Sequence, residues 1–138
     1  MTYDPSNIFA KILRGEIPCH KIYEDEHTLV FIDVMPQVDG HCLVVPKTPC
    51  RNLLDAEPTV LAKSMATTQK IARAAMKAFN ADGVQIRQYN EAAAGQTVFH
   101  LHFHIMPMKA GEKMRPHTGK MADHAVLAKH AEQIRAAL

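Results

Sequence analysis

A length of 138 residues fits one folded domain, spanning residues 1–138, and a chain of this size buries about two-thirds of its unfolded surface on folding. Hydrophobic residues make up 47% of the sequence and charged residues 22%, which is typical of a globular protein and excludes a disordered chain. The formal net charge of +2 is too small to indicate nucleic-acid binding by itself.

The cysteines and the apolar segments indicate where the protein resides. Cys19, Cys42 and Cys50 are too few and too irregularly spaced for a disulfide framework, and none forms a Cys-x-x-Cys pair. No segment has the apolar length of a signal peptide or a membrane helix. The sequence therefore predicts a cytoplasmic protein with reduced thiols and without membrane or nucleic-acid partners.

The first half of the chain predicts a short helix followed by three strands. Ser6 or Asn7 is suited to cap a helix that ends at Gly15. Strand-like runs follow at residues 20–25, 28–33 and 41–47, separated by a connection of hairpin length and by the turn residues PQVDG. These three runs predict an antiparallel meander.

The second half predicts a long helix, two strands and a final helix. Apolar residues at near-helical spacing predict a helix over about residues 58–79. Strand candidates at residues 83–90 and 97–106 are joined by EAAAGQ, and residues 123–138 predict an amphipathic helix. The predicted class is α+β, with an antiparallel sheet of about five strands and the helices on one face.

Three histidines alternate with large apolar residues in the last predicted strand. In a strand, alternate side chains share a face, so His100, His102 and His104 point one way while the odd-numbered residues from Phe99 to Ile105 point to the core. A helix would mix imidazoles with apolar side chains, and the β-propensity of the apolar residues also favours a strand.

A row of imidazoles has three interpretations. Solvated polar residues explain a single histidine, but three in register weaken that explanation. A metal site is the second, because imidazole is a common zinc ligand. The α-carbons of His100 and His104 lie about 13 Å apart in a strand, so one ion would take two of the three histidines and an outside ligand such as His41.

The third interpretation is covalent catalysis with His102 as the nucleophile. Neutral imidazole has an ordinary pKa of about 6.5, so one nitrogen is free to attack while the other is held by a hydrogen bond. The residues before the histidines favour phosphorus as the target. Gly95 allows the backbone to approach a phosphate closely, and the hydroxyl of Thr97 adds a donor for its oxygens.

These segments resemble the histidine triad (HIT) family of nucleotide-binding proteins and hydrolases, whose signature is His-φ-His-φ-His-φ-φ with φ apolar. Residues 100–106, HLHFHIM, match it at every position. NIFAKILRGEIP, FIDVMPQVDGHCLVVPK and QYNEAAAGQTV occur in the family's order, so the resemblance runs from about Asn7 to Met108. The N-terminal half is most similar to the Hint-like branch, which is associated with nucleoside phosphoramidate hydrolysis.

The resemblance implies a fold and an assembly. The fold is the α+β HIT-like fold, with one long central helix, a short N-terminal helix and a C-terminal helix. The usual assembly is a homodimer in which the strands continue across the interface and the long helices pack together.

The resemblance also implies a role for each matching residue. His102 attacks the α-phosphorus of a nucleoside 5′-phosphate derivative and forms a nucleotidyl-histidine that water hydrolyses. His100 and His104 orient it and manage protons on the leaving group, and His41 is a further active-site histidine. For nucleotide binding, Asp33 accepts bonds from the ribose hydroxyls, Asn90, Gly95, Gln96 and Thr97 line the phosphate subsite, and Ile8, Phe9, Ile17 and Phe31 enclose the base.

The function implied is that of a purine nucleoside phosphoramidase acting without a cofactor or a bound metal. Two alternatives stay open, a dinucleoside polyphosphate hydrolase and a catalytically slow nucleotide-binding or scaffold protein, and a metalloprotein is a third. Some bacterial members use an N-terminal Cys-x-x-Cys to bind structural zinc, and this chain has Asn7 and Ala10 in those places.

A basic loop follows the strongest match. Its cationic residues are Lys109, Lys113, Arg115, His117 and Lys120. Such a loop favours a polyphosphate or an acidic leaving group when it faces the site, and is a solvated surface otherwise.

Overall fold

The computed structural model describes residues 2–117 and 120–138, so Thr118 and Gly119 of the basic loop lie outside the described residues, as does Met1. The elements are helix α1 (Ile8–Leu13), strands β1 (Lys21–Glu24), β2 (Thr28–Ile32) and β3 (Cys42–Pro46), helix α2 (Pro58–Ala78), strand β4 (Gly83–Arg87), a 3-10 turn (Ala92–Ala94), strand β5 (Phe103–Met108) and helix α3 (His124–Ala136).

The five strands form one antiparallel sheet in the order β1-β2-β3-β5-β4. The first three strands form the predicted meander, and β5 lies between β3 and β4. Leu43 of β3 and Arg87 of β4 both lie opposite His104 of β5. The predicted α+β fold with five strands is therefore confirmed.

One face of the sheet is covered by α2 and α3, which build the larger core. The strand residues that point to these helices are Val30, Ile32, Cys42, Val44, Phe103 and Ile105, and they pack with Ile71, Ala75, Leu127, Ala131 and Ile134 of the helices. Among the residues that the structure describes, no helix is long and apolar enough to cross a membrane.

The opposite face of the sheet carries α1. Phe9 of this helix packs with Leu29, Phe31, Leu43 and Val45, which alternate with the residues of the larger core. The prediction that the helices share one face is wrong for α1. Every residue of β2 and β3 is buried, so both faces of these strands need cover, and α1 supplies it.

The sequence predicts a strand from residue 97, but strand β5 begins at Phe103. Continuing the register from Val44 and Phe103 brings Leu101 opposite Pro46. Proline has no N–H to donate to Leu101 across the ladder, and its carbonyl oxygen accepts from the ring of His100. The N–H of Leu101 donates to the carbonyl oxygen of Cys50 at 2.9 Å. Leu101 still reaches the core, so the predicted inward side of this segment is confirmed from Leu101 to Ile105.

The turn before β3 requires glycine. Gly40 has a φ of +86°, and a Cβ there would lie 2.5 Å from the ring of Phe79, which caps the C-terminal end of α2. The end of α2 therefore packs directly on the residue that precedes His41.

Replacing Phe103 by Ala tests the assignment of faces. The side chain is buried among core residues, so the free energy of unfolding should fall by about 3–5 kcal/mol, measured by denaturant unfolding. Val126→Ala on the exposed surface of α3 is the control and should cost less than about 1 kcal/mol. Equal stability of Phe103→Ala and the wild type would contradict the inward orientation.

Candidate active site

The sheet face that carries α1 also carries the histidines. His104 lies in β5 with its side chain opposite in direction to Phe103 and Ile105, and His41 directly precedes β3 on the same side as Leu43. His100 and His102 lie in the segment that has left the sheet. All except His104 are buried, so the first of the three interpretations, solvated polar residues, does not describe this site.

Both ring nitrogens of His100 are used within the protein. Nε2 donates to the carbonyl oxygen of Pro46 at 2.8 Å, and a carbonyl only accepts, so Nε2 carries the proton. The Nδ1 lone pair therefore accepts from the hydroxyl of Tyr3 at 2.6 Å. His100 is thereby a fixed support whose backbone carbonyl is held in place, and no proton on its ring is free to move.

The neighbouring His102 has one nitrogen bound and one free. Its Nδ1 donates to the carbonyl oxygen of His100 at 2.6 Å, which assigns the proton to Nδ1 and the lone pair to Nε2. Nε2 has no hydrogen-bond partner within residues 2–117 and 120–138. The ring is held by Phe9, whose centroid lies 4.8 Å away at a right angle. The arrangement presents a basic nitrogen in a fixed direction.

His41 and His104 form a second pair with assigned protons. The backbone N–H of Gln37 donates to Nδ1 of His41 at 3.0 Å, so the proton of His41 lies on Nε2. That Nε2–H donates to Nδ1 of His104 at 2.9 Å, and the proton of His104 therefore lies on Nε2. The rings of His102 and His104 have centroids 5.1 Å apart, so a ring with a free nitrogen lone pair neighbours a ring with an N–H donor.

Burial keeps these imidazoles neutral. It lowers the pKa of His41 to about 4 and that of His100 to about 4. Burial is also the main cause that lowers the pKa of His104 to about 2, assisted by the nearby His102, and it lowers the pKa of His102. Asp33 raises the pKa of His41, but by less than burial lowers it. At neutral pH the four rings are therefore uncharged.

Asp33 lies beside His41 and is held by the chain around it. Its Oδ1 accepts from the backbone N–H of Met35 at 2.8 Å, and its Oδ2 lies 3.4 Å from Nε2 of His41. Nε2 of His117 lies 3.4 Å from Oδ1. The basic loop therefore does reach the site, through His117.

The loop containing His117 is fastened to the segment that follows Asp33. The backbone N–H of Arg115 donates to the carbonyl oxygen of Gln37 at 2.7 Å, and its guanidinium pairs with Asp39 at 3.1 Å. Ala122 donates to the carbonyl oxygen of Val34 at 2.8 Å.

One buried cluster among the described residues has the chemistry of a metal site. The nearest ligand atoms of Asp33, His41 and His104 all lie within 4.8 Å of one another. The Nε2–H of His41, however, already donates to the Nδ1 lone pair of His104. A metal ion would need that lone pair and a lone pair on Nε2 of His41, which carries a proton instead. Binding would also require His41 to give up its contact with Gln37. The donor set thus fits a hydrogen-bonded relay better than a resident ion.

The predicted phosphate-binding residues divide into two with occupied side chains, Asn90 and Gln96, and two that are exposed, Gly95 and Thr97. The side chain of Gln96 accepts from Asn52 and from the N–H of Glu91, and donates to the carbonyl oxygens of Arg51 and Val98. All of the hydrogen-bonding capacity of this side chain is thereby used to hold the loop. The backbone N–H of Gln96 is also used, since it donates to the carbonyl oxygen of Glu91 at 3.2 Å.

Asn90 is similarly occupied, since its side-chain oxygen accepts from the N–H of Leu53 at 3.0 Å. Gly95 and Thr97 are exposed. Gly95 has a φ of +106°, and a Cβ there would lie 3.3 Å from the ring of Tyr89. The phosphate-binding roles of these residues stay predictions.

Two of the four predicted base-binding residues lie together. The rings of Phe9 and Phe31 are 5.5 Å apart, and Phe9 also contacts His102. Ile8 is exposed and Ile17 is half-buried, and neither belongs to the cluster around Phe9. An apolar wall therefore adjoins the free nitrogen of His102.

Several residues of the site were not predicted from sequence. Tyr3 bonds to Nδ1 of His100, Gln37 sets the tautomer of His41, and the ring of Tyr89 lies 5.7 Å from that of His104. Arg87 and Tyr89 are two residues apart, so they lie on the same side of the chain as His104 once the register between β4 and β5 is known. The sequence alone does not give that register. Nothing in the sequence pattern marks Tyr3 or Gln37.

The family assignment follows from comparison with known proteins. The HIT domain model matches residues 14–111. The chain belongs to the HIT family. HIT proteins include nucleotide hydrolases and transferases, and the predicted histidine triad family is confirmed.

Three relatives illustrate the range of the family. A Hit-like protein of Bartonella henselae, described as involved in cell-cycle regulation, is 48% identical, with a TM-score of 0.95 over 100% of both chains. A zinc-bound HIT protein of Mycobacterium smegmatis is 38% identical, with a TM-score of 0.85 over 96% of this chain and 92% of that chain. Adenylylsulfatase HINT3 of Arabidopsis thaliana is 39% identical over 86% of this chain, and the match spans 63% of its own length.

Neutral buried imidazoles in a HIT domain make its stability dependent on pH. The unfolded chain binds protons on these histidines below about pH 6.5, whereas the folded protein does so only near their lowered pKa values, about 4 for His41 and His100. Stability should therefore fall as the pH is lowered from about 6.5 to 4, with each buried histidine contributing up to about 1.4 kcal/mol per pH unit.

Denaturant unfolding at pH 7, 6 and 5 measures this slope. His27→Gln, at an exposed position, is the control and should keep the wild-type slope. Stability that stays constant between pH 7 and pH 5 would be inconsistent with neutral buried rings.

Proposed function

We propose that this HIT protein hydrolyses nucleoside 5′-phosphoramidates, with adenosine 5′-phosphoramidate as the representative substrate, through a covalent nucleotidyl-histidine. The observation that carries the proposal is the free Nε2 lone pair of His102, in a ring whose centroid lies 5.1 Å from that of His104, which has its proton on Nε2. Nucleophile and donor are both present, fixed in direction and uncharged at neutral pH.

In the first step, Nε2 of His102 attacks the α-phosphorus. The new N–P bond forms as the P–N bond of the substrate breaks. The departing nitrogen takes up a proton from solvent and leaves as ammonia, and the water of the second step releases its protons to solvent. The attacking ring becomes cationic, and its Nδ1–H donates to the carbonyl oxygen of His100, which stabilises that charge. The Nε2–H of His104 is the donor available to the phosphate oxygens.

In the second step, water attacks the same phosphorus and releases AMP. The N–P bond breaks with its electron pair returning to Nε2, so the free lone pair of His102 is restored. Asp33 and the apolar wall of Phe9 and Phe31 are the groups that hold the ribose and the base in this proposal. Together they orient the phosphorus toward His102.

Replacing His102 by Ala should abolish AMP release while preserving the fold and nucleotide binding. Phosphorus NMR of wild type and variant with adenosine 5′-phosphoramidate, in the presence of chelator, measures the conversion, and AMP should form with the wild type alone. His124→Ala, on the surface of α3, is the control and should retain wild-type turnover.

The outcomes of this experiment separate the candidate functions. Wild-type turnover by His102→Ala would exclude the nucleophile assignment. Nucleotide binding without turnover in either protein favours a binding or scaffold protein, and activity that chelator removes favours a metalloprotein. Cleavage of dinucleoside polyphosphates in preference to the phosphoramidate identifies a polyphosphate hydrolase.

A nucleoside 5′-phosphosulfate is a second candidate substrate. The Arabidopsis relative is an adenylylsulfatase, and its similarity covers most of this chain. Cleavage would occur at the same α-phosphorus with sulfate in place of the amine.

The cytoplasmic location stays a prediction from the sequence.

We further propose that the protein is a homodimer formed through β4 and α2. β4 lies at one end of the sheet, and Ile86 on it is 40% exposed although it lies opposite the buried Ile105. Met65 on α2 is 45% exposed. An apolar edge strand beside an apolar patch on a helix is suited to pair with a second copy.

Ile86→Glu should convert the dimer to a monomer, because it introduces a charge at the centre of the paired edge. Light scattering coupled to size exclusion measures the mass. Val126→Glu, which changes a similarly exposed residue on α3, should remain a dimer. A dimeric Ile86→Glu protein would exclude this edge as the interface.

A further inference from the structure

Arg87 lies on the active-site face of the sheet. It is the last residue of β4 and stands directly opposite His104 of β5. Residues opposite one another in antiparallel strands extend their side chains to the same face, so Arg87 points to the side occupied by His104. Tyr89, two residues further along, contacts the His104 ring and is consistent with this direction.

The guanidinium of Arg87 has no hydrogen-bond or ion-pair partner in the part of the chain that the structure describes. The residue is nevertheless partly buried. A cation that has lost part of its hydration without gaining a partner is costly unless a ligand supplies the opposite charge. The positive charge of Arg87 contributes to lowering the pKa of both His41 and His104, which indicates that it acts within the site.

The surrounding residues do not provide an equivalent charge. The four histidines are neutral, and Asp33 is the acidic member of the site. Arg115 also influences His41, but its guanidinium is paired with Asp39 and donates to the carbonyl oxygen of Pro36. Of the two described arginines whose charge reaches His41, Arg115 is paired and Arg87 is not, so a second negative charge on a substrate would meet Arg87.

We infer that Arg87 binds an anionic leaving group, of the sulfate or phosphate class, on the His104 side of the reacting phosphorus. This inference rests on the proposed function and specifies its substrate class. Arg87 strengthens the cleavage of substrates with an oxyanion leaving group and contributes little to that of an amine. A planar guanidinium is suited to two oxygens of such a group.

The chemistry of the step accounts for this role. His102 Nε2 forms the N–P bond while the P–O bond to sulfate breaks, and the electron pair of that bond leaves with sulfate. Sulfate departs as a dianion and needs no proton, unlike ammonia, so the required assistance is positive charge. Water then releases AMP from His102, and the two protons of the overall reaction go to solvent.

The experiment compares two substrates that share one nucleotide. The kcat and KM of wild type and Arg87→Gln are measured with adenosine 5′-phosphosulfate and with adenosine 5′-phosphoramidate. The ratio of kcat/KM for the phosphosulfate to that for the phosphoramidate should fall about 10- to 100-fold in the variant, the range expected for loss of a charge-assisted hydrogen bond. Part of the loss should appear in kcat, because the negative charge on sulfate grows as the bond breaks.

Two further variants separate binding from structure. Arg87→Lys keeps the charge without the planar fork and should recover part of the ratio. Arg73→Gln, at an exposed position on α2, makes the same change in net charge and should leave the ratio at the wild-type value. Light scattering on Arg87→Gln checks that the change leaves the assembly intact.

The results distinguish the failure of this inference from the failure of the proposed function. Absence of AMP from both substrates with wild-type protein would remove the proposed function, and this inference with it. AMP release with an unchanged ratio in Arg87→Gln, or an equal loss on both substrates, would overturn the role of Arg87 alone. A change in oligomeric state together with that equal loss would assign Arg87 to the interface.

Discussion

The hydrogen bond from Nδ1 of His102 to the carbonyl oxygen of His100 determines the chemistry of the site, because it decides which nitrogen of His102 is basic. Other contacts serve this bond. Pro46 and Tyr3 hold the ring of His100, which keeps its backbone in position, and Phe9 holds the ring of His102. Burial then keeps the rings neutral, so that the lone pair is available at physiological pH. The site combines a fixed tautomer with a low local polarity.

The two faces of the sheet carry different kinds of residue. The face toward α2 and α3 contains the larger apolar core, whereas the face toward α1 contains the imidazoles and a smaller cluster around Phe9. Pro46 affects both the sheet and the imidazoles. It ends the pairing of β3 with the segment before Phe103, and its carbonyl oxygen accepts from His100. A residue that cannot donate to a ladder thereby contributes to the departure from the sheet of the backbone that carries His102.

The alternation of residues 100–106 was sufficient to predict the inward side of Leu101, Phe103 and Ile105, and the motif was sufficient to predict the family. The pattern carries no information on where the strand begins, since that depends on Pro46 in another strand. Nor does it contain the tautomers of His100 and His41, which are set by Pro46 and Gln37 through contacts that local periodicity does not encode. Gln96 illustrates a further limit, because the sequence predicts that it lines a phosphate subsite but does not indicate that its side chain holds the loop.

The contact between Tyr3 and His100 joins residues separated by most of the chain, and it lies outside both apolar clusters. Loss of this one contact would leave the ring of His100 held by Pro46 alone, while the sheet and its core stay folded. The position of the carbonyl oxygen that His100 presents to His102 is thus coupled to the segment before α1. A melting temperature, which reports the core, does not measure that coupling.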